Sequence, residues 1–301
     1  MKGGFTTEES ARYDQVSESV EAFSHLTLPL AKRILAVVGM KPSETLLDVG
    51  TGTGIIANLA ARKVGPDGHV VGIDFSEGML DRARTYASQE GLDARVEYQL
   101  MDAQDLKFPD QSFDCVVSLF TFMHLPDPQR ALDGMYRILR PGGRVTIGVG
   151  GGPPLVSLRG WVHRFRIALE NIGQLRGTVL RAPDFLNSLV KRHLPDPEAQ
   201  GVVPKHWENP IQALTRLMQK AGFRQPKTDW DGYVTTLTAP QEFWNLQTTF
   251  SSFARQRLLN ADAGKITAIS REFLETCEGV LSRRGRLVYH YAAVFVTGQK
   301  P

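Results

Sequence analysis

The sequence predicts an α/β fold built on one mostly parallel β-sheet, and three observations favour it. Short apolar segments alternate with helix-like segments from residue 45 to 149, as in successive βαβ units. The apolar segments are rich in Val, Ile and Leu, which is typical of strands that are covered on both faces. A long segment rich in β-branched and aromatic residues, 287–297, then closes the sheet. We therefore expect one sheet with two insertions rather than two independent domains.

Seven segments have the pattern of strands, and helical segments lie between them. The predicted strands are residues 45–49, 69–73, 96–100, 113–119 and 144–149, a strand that starts near Phe223, and residues 287–297. Apolar residues at helical spacing predict helices at 55–64, 76–90, 128–139 and 210–221. The run Arg-Pro-Gly-Gly at 140–143 is expected to end one helix and open a strand, because Pro and Gly do not continue a helix.

The remaining segments are interpreted as a cap and two insertions. Residues 1–44 are expected to form a helical cap over a core made of 45–149, 210–238 and 285–301. The first insertion, 150–209, has a mixture of helix-like and loop-like segments, and the second, 239–284, has the pattern of two helices. We expect both insertions to form a lid that covers the substrate site.

Composition restricts the class of protein. The chain has 301 residues, of which 42% are apolar and 22% charged, so a collagen-like, disordered or disulfide-stapled chain is excluded. Only Cys115 and Cys277 are present, which favours a reducing, cytoplasmic compartment. No segment approaches the roughly 18 apolar residues of a membrane span, and no secretory signal begins the sequence. We expect an intracellular protein without a membrane span.

The charge is unevenly distributed. Residues 1–150 contain 15 Lys and Arg against 20 Asp and Glu, whereas residues 151–301 contain 20 against 12. The basic excess is densest between Arg159 and Arg192. This pattern is consistent with an anionic partner or with a solvated helical face, and the sequence does not decide between them.

The strongest motif is Leu-Leu-Asp-Val-Gly-Thr-Gly-Thr-Gly-Ile at 46–55, where a strand enters a glycine-rich turn before a helix. Glycine lets the backbone approach a ligand closely, and the helix N-terminus offers free N–H groups. Ile55 stands where a dinucleotide-binding fingerprint would have glycine. Asp48 also suits an ammonium group better than phosphates, so the motif favours a cationic ligand over a dinucleotide.

Acidic residues end the next two strands. Asp74 lies 20 residues after Gly54, where a carboxylate can accept hydrogen bonds from both hydroxyls of a ribose. Asp102 and Ala103 follow the third strand, where an adenine edge would lie. Each acid alone could simply cap the following helix or turn. Three strand ends in succession favour a nucleoside site at the carboxyl edge of the sheet.

With these features the sequence resembles the class I S-adenosylmethionine-dependent methyltransferases, in particular the branch of the ubiquinone and menaquinone biosynthesis C-methyltransferases. The resemblance covers residues 45–149, including Phe-Asp-Cys-Val-Val-Ser at 113–118 and Leu-Arg-Pro-Gly-Gly-Arg at 139–144. It is looser at Ala-Arg-Tyr-Asp, 11–14, and at residues 217–223, and it does not extend to the insertions. It implies a Rossmann-like, seven-stranded, mostly parallel sheet with an antiparallel last strand.

The resemblance also implies a cofactor and its contacts. The cofactor would be S-adenosylmethionine, with S-adenosylhomocysteine as product and no metal. The methionine part of the cofactor would be lined by Gly50, Thr51, Gly52 and Gly54, its amino group would lie near Asp48, and its carboxylate end would lie under Tyr13. The ribose would bind Asp74, and the sulfonium would lie above Leu119. The adenine would lie beside Phe75 and Met79, with Asp102 and Ala103 at its edge.

Catalytic and acceptor-binding residues are less well determined. In a methyl transfer the protein mainly aligns the reactants, and a general base is needed only where the acceptor must lose a proton. His124 and His163 are candidate catalytic residues, and Trp161, His206 and Trp207 are candidate contacts to the acceptor. Bracing of a loop, core packing or a surface position are the alternatives for each of these residues.

Several acceptor classes are disfavoured. Ser-Leu-Phe-Thr at 118–121 lacks the pattern of enzymes that methylate base amines. No metal-ligand spacing supports the magnesium-dependent catechol type, and two cysteines make no arsenic-binding thiol cluster. A small, largely apolar or aromatic acceptor remains, methylated at O or C more readily than at N.

Other functions stay open at this stage. A methyltransferase that acts on RNA or protein through the basic half, and a cofactor-binding partner without catalysis, are the alternatives, although nucleic acid is the less favoured partner. A nicotinamide-dependent oxidoreductase fits poorly. We expect a monomer or a homodimer with a small-molecule acceptor.

Overall fold

The computed structural model describes residues 7–153, 158–194 and 209–301. Its helices are α1 (Thr7–Asp14), α2 (Ser17–Ala22), α3 (Ser24–Val38), α4 (Ile55–Val64), α5 (Glu77–Gln89), α6 (Pro128–Ile138), α7 (Leu158–Leu175), α8 (Asp184–His193), α9 (Pro210–Lys220), α10 (Pro240–Phe250), α11 (Ser252–Leu259) and α12 (Ala263–Ser282). Its strands are β1 (Thr45–Val49), β2 (His69–Asp74), β3 (Val96–Leu100), β4 (Phe113–Leu119), β5 (Leu139–Gly150), β6 (Val179–Ala182), β7 (Arg224–Leu237) and β8 (Arg286–Gln299).

The chain divides into two compact units. The first contains residues 1–152, 203–231 and 292–301, and the second contains 153–202 and 232–291. The second unit includes most of the two predicted insertions. Their role as a lid remains a prediction.

The strands form a mixed sheet in the order β3-β2-β1-β4-β5-β8-β6, and β7 also pairs with β8. Strands β1 to β5 pair in parallel, whereas β8 runs antiparallel to β5. The α/β fold with a mostly parallel sheet and an antiparallel last strand is thus confirmed. Parallel register brings Val49 beside Ile73 and Asp74 beside Leu100, so the carboxyl ends of β1, β2 and β3 meet at one edge.

The first unit follows the predicted periodicity closely. The strands at 45–49, 96–100 and 113–119 and the helix at 55–64 are confirmed to the residue. Helix α6 begins where the side chain of Asp127 accepts a hydrogen bond from Arg130 N and Pro128 occupies the first turn. Its buried residues, Ala131, Leu132, Met135 and Ile138, face the core. Local signals and burial agree for these elements of the first unit.

Three expectations need correction. The predicted mixture of helix and loop at 150–209 missed β6, an eighth strand of only four residues that pairs in parallel with the start of β8. The two helices predicted at 239–284 are three, because Ser251 and Asp262 each cap a new helix with the side chain. Strand β5 starts at Leu139 rather than at 144, since Gly142 and Gly143 exchange backbone hydrogen bonds with Lys300.

The second unit has its own apolar centre. Phe185 of α8 and Phe243 of α10 pack on the buried ring of Phe273 in α12, with ring centroids 5.1 and 5.7 Å away. Trp244 meets the same ring edge-on at 5.2 Å. These aromatic residues therefore build a core, as the packing interpretation of the insertions requires.

Candidate cofactor site

The glycine-rich turn lies between β1 and α4 and is joined to β2. Gly50, Gly52 and Gly54 have φ angles of +71°, +54° and +79°, which side chains rarely adopt. The amides of Gly50 and Thr51 both donate to the carbonyl of Ile73, at 2.8 and 2.9 Å. The turn is therefore fixed against the strand that carries Asp74.

The three glycines meet different surroundings. A Cβ on Gly50 would lie 2.1 Å from Thr121 Oγ1, and one on Gly54 would lie 2.5 Å from the hydroxyl of Tyr98. A Cβ on Gly52 would meet no atom of the described residues within 4 Å. Gly50 and Gly54 thus allow close internal packing, whereas Gly52 borders open space.

Asp74 ends β2 with its carboxylate held by backbone amides. Oδ2 accepts from Gly52 N at 2.8 Å and Oδ1 accepts from Ser76 N at 3.1 Å. Burial raises the pKa of Asp74 to about 6, and the two amides only partly oppose that effect. Because each carboxylate oxygen has two lone pairs, the group can still accept hydrogen bonds from a diol.

Asp48, which lies in β1 just before the glycine turn, is fully buried. Its Oδ2 accepts from Thr51 Oγ1 at 2.7 Å, and its Oδ1 has no hydrogen-bond partner among the described residues. Burial raises the pKa of Asp48 to about 7, and the negative charge of Asp74 contributes in the same direction. Two acids at the same buried turn make a site that favours a cation.

Helix α1 packs against the same junction. The ring of Tyr13 meets Phe75 edge-on at 5.3 Å and the imidazole of His124 at 6.3 Å. Asp14 Oδ1 accepts from Ser76 Oγ at 2.5 Å and from Gly78 N at 2.9 Å. Nothing in the sequence indicated this role for Asp14, which ties α1 to Ser76, the residue that caps α5.

After the third strand, β3, the hydrogen bonds described for the Asp102 side chain are with Gln104. Asp102 is half-buried, and its Oδ1 accepts from Gln104 N at 2.8 Å, so the capping interpretation accounts for one of its oxygens. The Gln104 side chain in turn accepts from Asp127 N at 2.8 Å. Ala103 and Met79 are buried nearby in the first unit.

Strand β4 ends in a conformation that its sequence did not reveal. Leu119 is half-buried, and Phe120 has a φ of +62°, which is strained for an aromatic residue. The hydroxyl of Thr121 lies 3.3 Å from the carbonyl of Val49, beside the glycine turn. The exposed side chain of His124 follows in a short 3-10 helix, Phe122–His124.

The other predicted residues lie in the second unit or outside the description. His163 is buried in α7, its ring 5.4 Å from that of His290, and burial lowers its pKa. Trp161, on the same helix, is exposed. His206 and Trp207 lie outside the described residues. The catalytic role of His163 and the acceptor contacts of the other three stay predictions.

No group of three or more His, Cys, Asp or Glu side chains within 7–153, 158–194 and 209–301 is placed to hold a metal ion. No described helix is both long and apolar enough to cross a bilayer.

Known sequences match this chain over its core and beyond. A family model described as a methyltransferase domain matches residues 47–147. The ubiquinone/menaquinone biosynthesis C-methyltransferase UbiE of Vibrio cholerae is 31% identical over 220 residues, 72% of this chain and 77% of that protein. Nocamycin O-methyltransferase of Saccharothrix syringae is 41% identical over 133 residues, 44% of this chain and 46% of that protein. Arsenite methyltransferase of Halobacterium salinarum is 42% identical over 112 residues, but the chain spans only 28% of its length.

Solved structures share the fold. The [4+2]-cyclase SpnF aligns with a TM-score of 0.58 at 18% identity, over 99% of this chain and 98% of its own. The YcgJ protein of Bacillus subtilis aligns with a TM-score of 0.51 at 17% identity, over 92% and 98%. At these identities the likeness shows the fold alone.

Proposed function

The chain belongs to the class I S-adenosylmethionine-dependent methyltransferases, and from this premise we propose that it methylates carbon or oxygen of a small, largely apolar or aromatic acceptor. The buried pair Asp48 and Asp74 at the glycine turn is the observation that carries the cofactor part of the proposal. Relatives named as a C-methyltransferase and an O-methyltransferase support the two reacting atoms.

The residues of the turn fit this cofactor. The Asp74 carboxylate, which two amides already fix, would accept hydrogen bonds from the ribose hydroxyls. The unpartnered Oδ1 of Asp48 suits the ammonium group, and the space beside Gly52 leaves room for the methionine part. Tyr13 and Phe75 supply an apolar wall. When bound, the cofactor supplies a methyl group that is activated by the positive charge on sulfur.

The protein's task is alignment. Holding the acceptor in line with the methyl group and excluding water can lower the barrier by roughly 7–11 kcal/mol. As the new bond to the methyl carbon forms, the carbon–sulfur bond breaks and its electron pair stays on sulfur. In this proposal His124, whose ring lies against Tyr13, takes the proton that the acceptor loses.

Arsenite is a poor acceptor for this chain. Cys115 and Cys277 are each buried, and burial raises the pKa of the Cys277 thiol to about 12, so neither offers a thiolate. The matching region of the arsenite enzyme is therefore best explained by the shared cofactor domain.

Two experiments test the proposal. Calorimetric titration should show binding of S-adenosylhomocysteine and none of NADH. Radiolabelled methyl transfer should then be measured with a panel of hydroquinones, phenols and enols, with RNA and a protein lysate as competing acceptors. Labelled product from the small molecules supports the proposal, whereas label in RNA or protein alone contradicts it.

The variant His124→Ala tests whether His124 is a general base or only braces its loop. The variant should bind S-adenosylhomocysteine as the wild type does and turn over about a hundredfold more slowly, because general-base catalysis contributes that order of rate. Unchanged turnover would exclude His124 as the base. Binding of S-adenosylhomocysteine without labelled product from any acceptor would favour a non-catalytic role, which this fold also allows.

A further inference from the structure

Helix α7 exposes an apolar face. Six of the nine large apolar side chains that are exposed in the described part of the chain lie on it. They are Trp161, Val162, Phe165, Leu169, Ile172 and Leu175, each exposed by 47% to 90%. Trp161, Phe165, Leu169 and Ile172 follow the i, i+4, i+8, i+11 spacing of a single helix face.

The inner face of α7 shows that this orientation is fixed. Glu170 is buried and lies 2.5 Å from Nε2 of His290, and His163 is buried with its ring against the same imidazole. A Cβ on Gly173 would lie 2.5 Å from Val179, so the helix also packs closely on β6. Turning the apolar face inward would move Glu170 and His163 out of their buried positions and would break the Glu170–His290 pair.

The charged residues of α7 indicate which kind of partner its exposed outer face can bind. Arg164, Arg166 and Arg176 are exposed, and the Arg164 guanidinium donates to the carbonyl of Pro153 at 2.8 Å. Glu170 is the only acid between residues 158 and 183, and it points inward. The outer surface therefore combines aromatic and aliphatic side chains with arginines and no acid from this segment.

We propose that the outer face of α7 docks on the surface of an anionic lipid bilayer. The apolar side chains enter the boundary between headgroups and acyl chains, and the arginines contact lipid phosphates, as in helices that lie in the plane of a membrane. A second copy of the chain is a poorer occupant, because a two-fold contact through this face would bring its arginines against the same arginines. The proposal does not depend on the identity of the methyl acceptor.

Vesicle flotation of the full chain tests it. We expect binding to vesicles of equimolar phosphatidylcholine and phosphatidylglycerol, weakened by salt, and little binding to phosphatidylcholine alone. The triple variant Trp161→Ser/Phe165→Ser/Ile172→Ser should bind at least about tenfold more weakly. Arg166→Gln/Arg176→Gln should bind about twenty-five-fold more weakly, because each arginine near an anionic surface contributes about fivefold.

Matched controls remove similar side chains elsewhere. Leu259→Ser removes another exposed apolar residue, and Arg224→Gln/Arg271→Gln removes two other exposed arginines, so both should bind vesicles as the wild type does. All variants should keep the wild-type melting temperature. Trp161→Phe should still bind while losing the blue shift of tryptophan emission that lipid contact produces.

Three results would overturn the proposal. One is no binding of the wild type to anionic vesicles, and another is equal binding of the triple variant. The third is a wild-type dimer in sedimentation velocity that the triple variant converts to monomer, with neither form binding vesicles. That result would assign the face to a second copy of the chain.

Discussion

The buried acids of the two units differ in how their charges are compensated. In the first unit the donors described for Asp48 and Asp74 are neutral: the hydroxyl of Thr51 and backbone amides, among them those of Gly52 and Ser76. In the second unit the Glu170 carboxylate lies 2.5 Å from Nε2 of His290, whose Nδ1 has no hydrogen-bond partner among the described residues. Glu170 therefore has a basic partner within the protein, whereas the described partners of Asp48 and Asp74 are all neutral.

Asp48 and Asp74 are without this kind of partner among the described residues. Burial raises their pKa values to about 7 and 6, so keeping both ionised at neutral pH costs stability. Unfavourable local arrangements of this kind are typical of functional sites, where a ligand supplies what the protein lacks. The contrast predicts that variants of Glu170 change stability alone, and that variants of Asp48 and Asp74 change ligand affinity.

Glu170→Ala should produce the largest loss of stability. Removing the carboxylate leaves Nε2 of His290 without its partner, and the loss of this buried hydrogen bond is expected to lower the free energy of unfolding by about 3 kcal/mol. Urea denaturation measures this loss, with Glu278→Ala, an exposed acid on α12, as the control. Affinity for S-adenosylhomocysteine should not change, and a parallel loss of affinity would remove the distinction between the two units.

Asp74→Ala should weaken binding of S-adenosylhomocysteine by about a hundredfold or more, because two charge-assisted hydrogen bonds to the ribose are lost. The free energy of unfolding of the unliganded protein should fall much less than the free energy of binding, because the variant also removes the cost of burying the Asp74 charge. Calorimetry gives the first quantity and denaturation the second. Wild-type affinity in this variant would show that Asp74 does not hold the ribose.

Gly50→Ala and Gly52→Ala form a matched pair with similar backbone strain. Gly50→Ala places a methyl group against Thr121 and should lower the free energy of unfolding by about 2 kcal/mol. Gly52→Ala places its methyl group where no atom of the described residues lies within 4 Å, and it should cost only about 1 kcal/mol. In the proposed site the same methyl group would occupy ligand space and weaken binding about tenfold. If the two variants bound S-adenosylhomocysteine with equal affinity, the space beside Gly52 would not be part of the ligand site.

The pH dependence of binding tests Asp48. Its raised pKa means that its contribution to stability is full below the unfolded value near 4 and is lost as pH rises through about 7. The ammonium group of the ligand favours the ionised acid, so affinity for S-adenosylhomocysteine should rise about tenfold from about pH 5 to about pH 8, with Asp74, whose pKa is raised to about 6, contributing the lower part of the rise. Asp48→Asn should remove the part of the rise near pH 7 and stabilise the unliganded protein at the higher pH. A rise near pH 7 that persists in the variant would point to another group.

The sequence was most informative where local signals coincide. The glycine turn, its strand and its helix were predicted to the residue, because turn chemistry, apolar periodicity and burial all depend on neighbouring residues. Asp14 and Thr121 were missed because their contacts are with residues more than sixty positions away. The four residues of β6 were too few to show a strand pattern.

Helix α7 is a further case in which contacts with distant residues were not predictable from the local sequence. Its apolar stripe is the pattern of a core-facing helix, yet the stripe is exposed. The opposite face is buried because Glu170 meets His290, which lies 120 positions along the chain. Periodicity gives the width of an apolar face, but the side that is buried depends on such distant partners.

The central claim is that the acids at the glycine turn hold the cofactor, and a crystal structure with S-adenosylhomocysteine tests it most directly. We predict ribose hydroxyls within about 3 Å of the Asp74 carboxylate and the amino group at a similar distance from Asp48. Density for the ligand elsewhere, or a ribose that leaves Asp74 without contact, would contradict the claim.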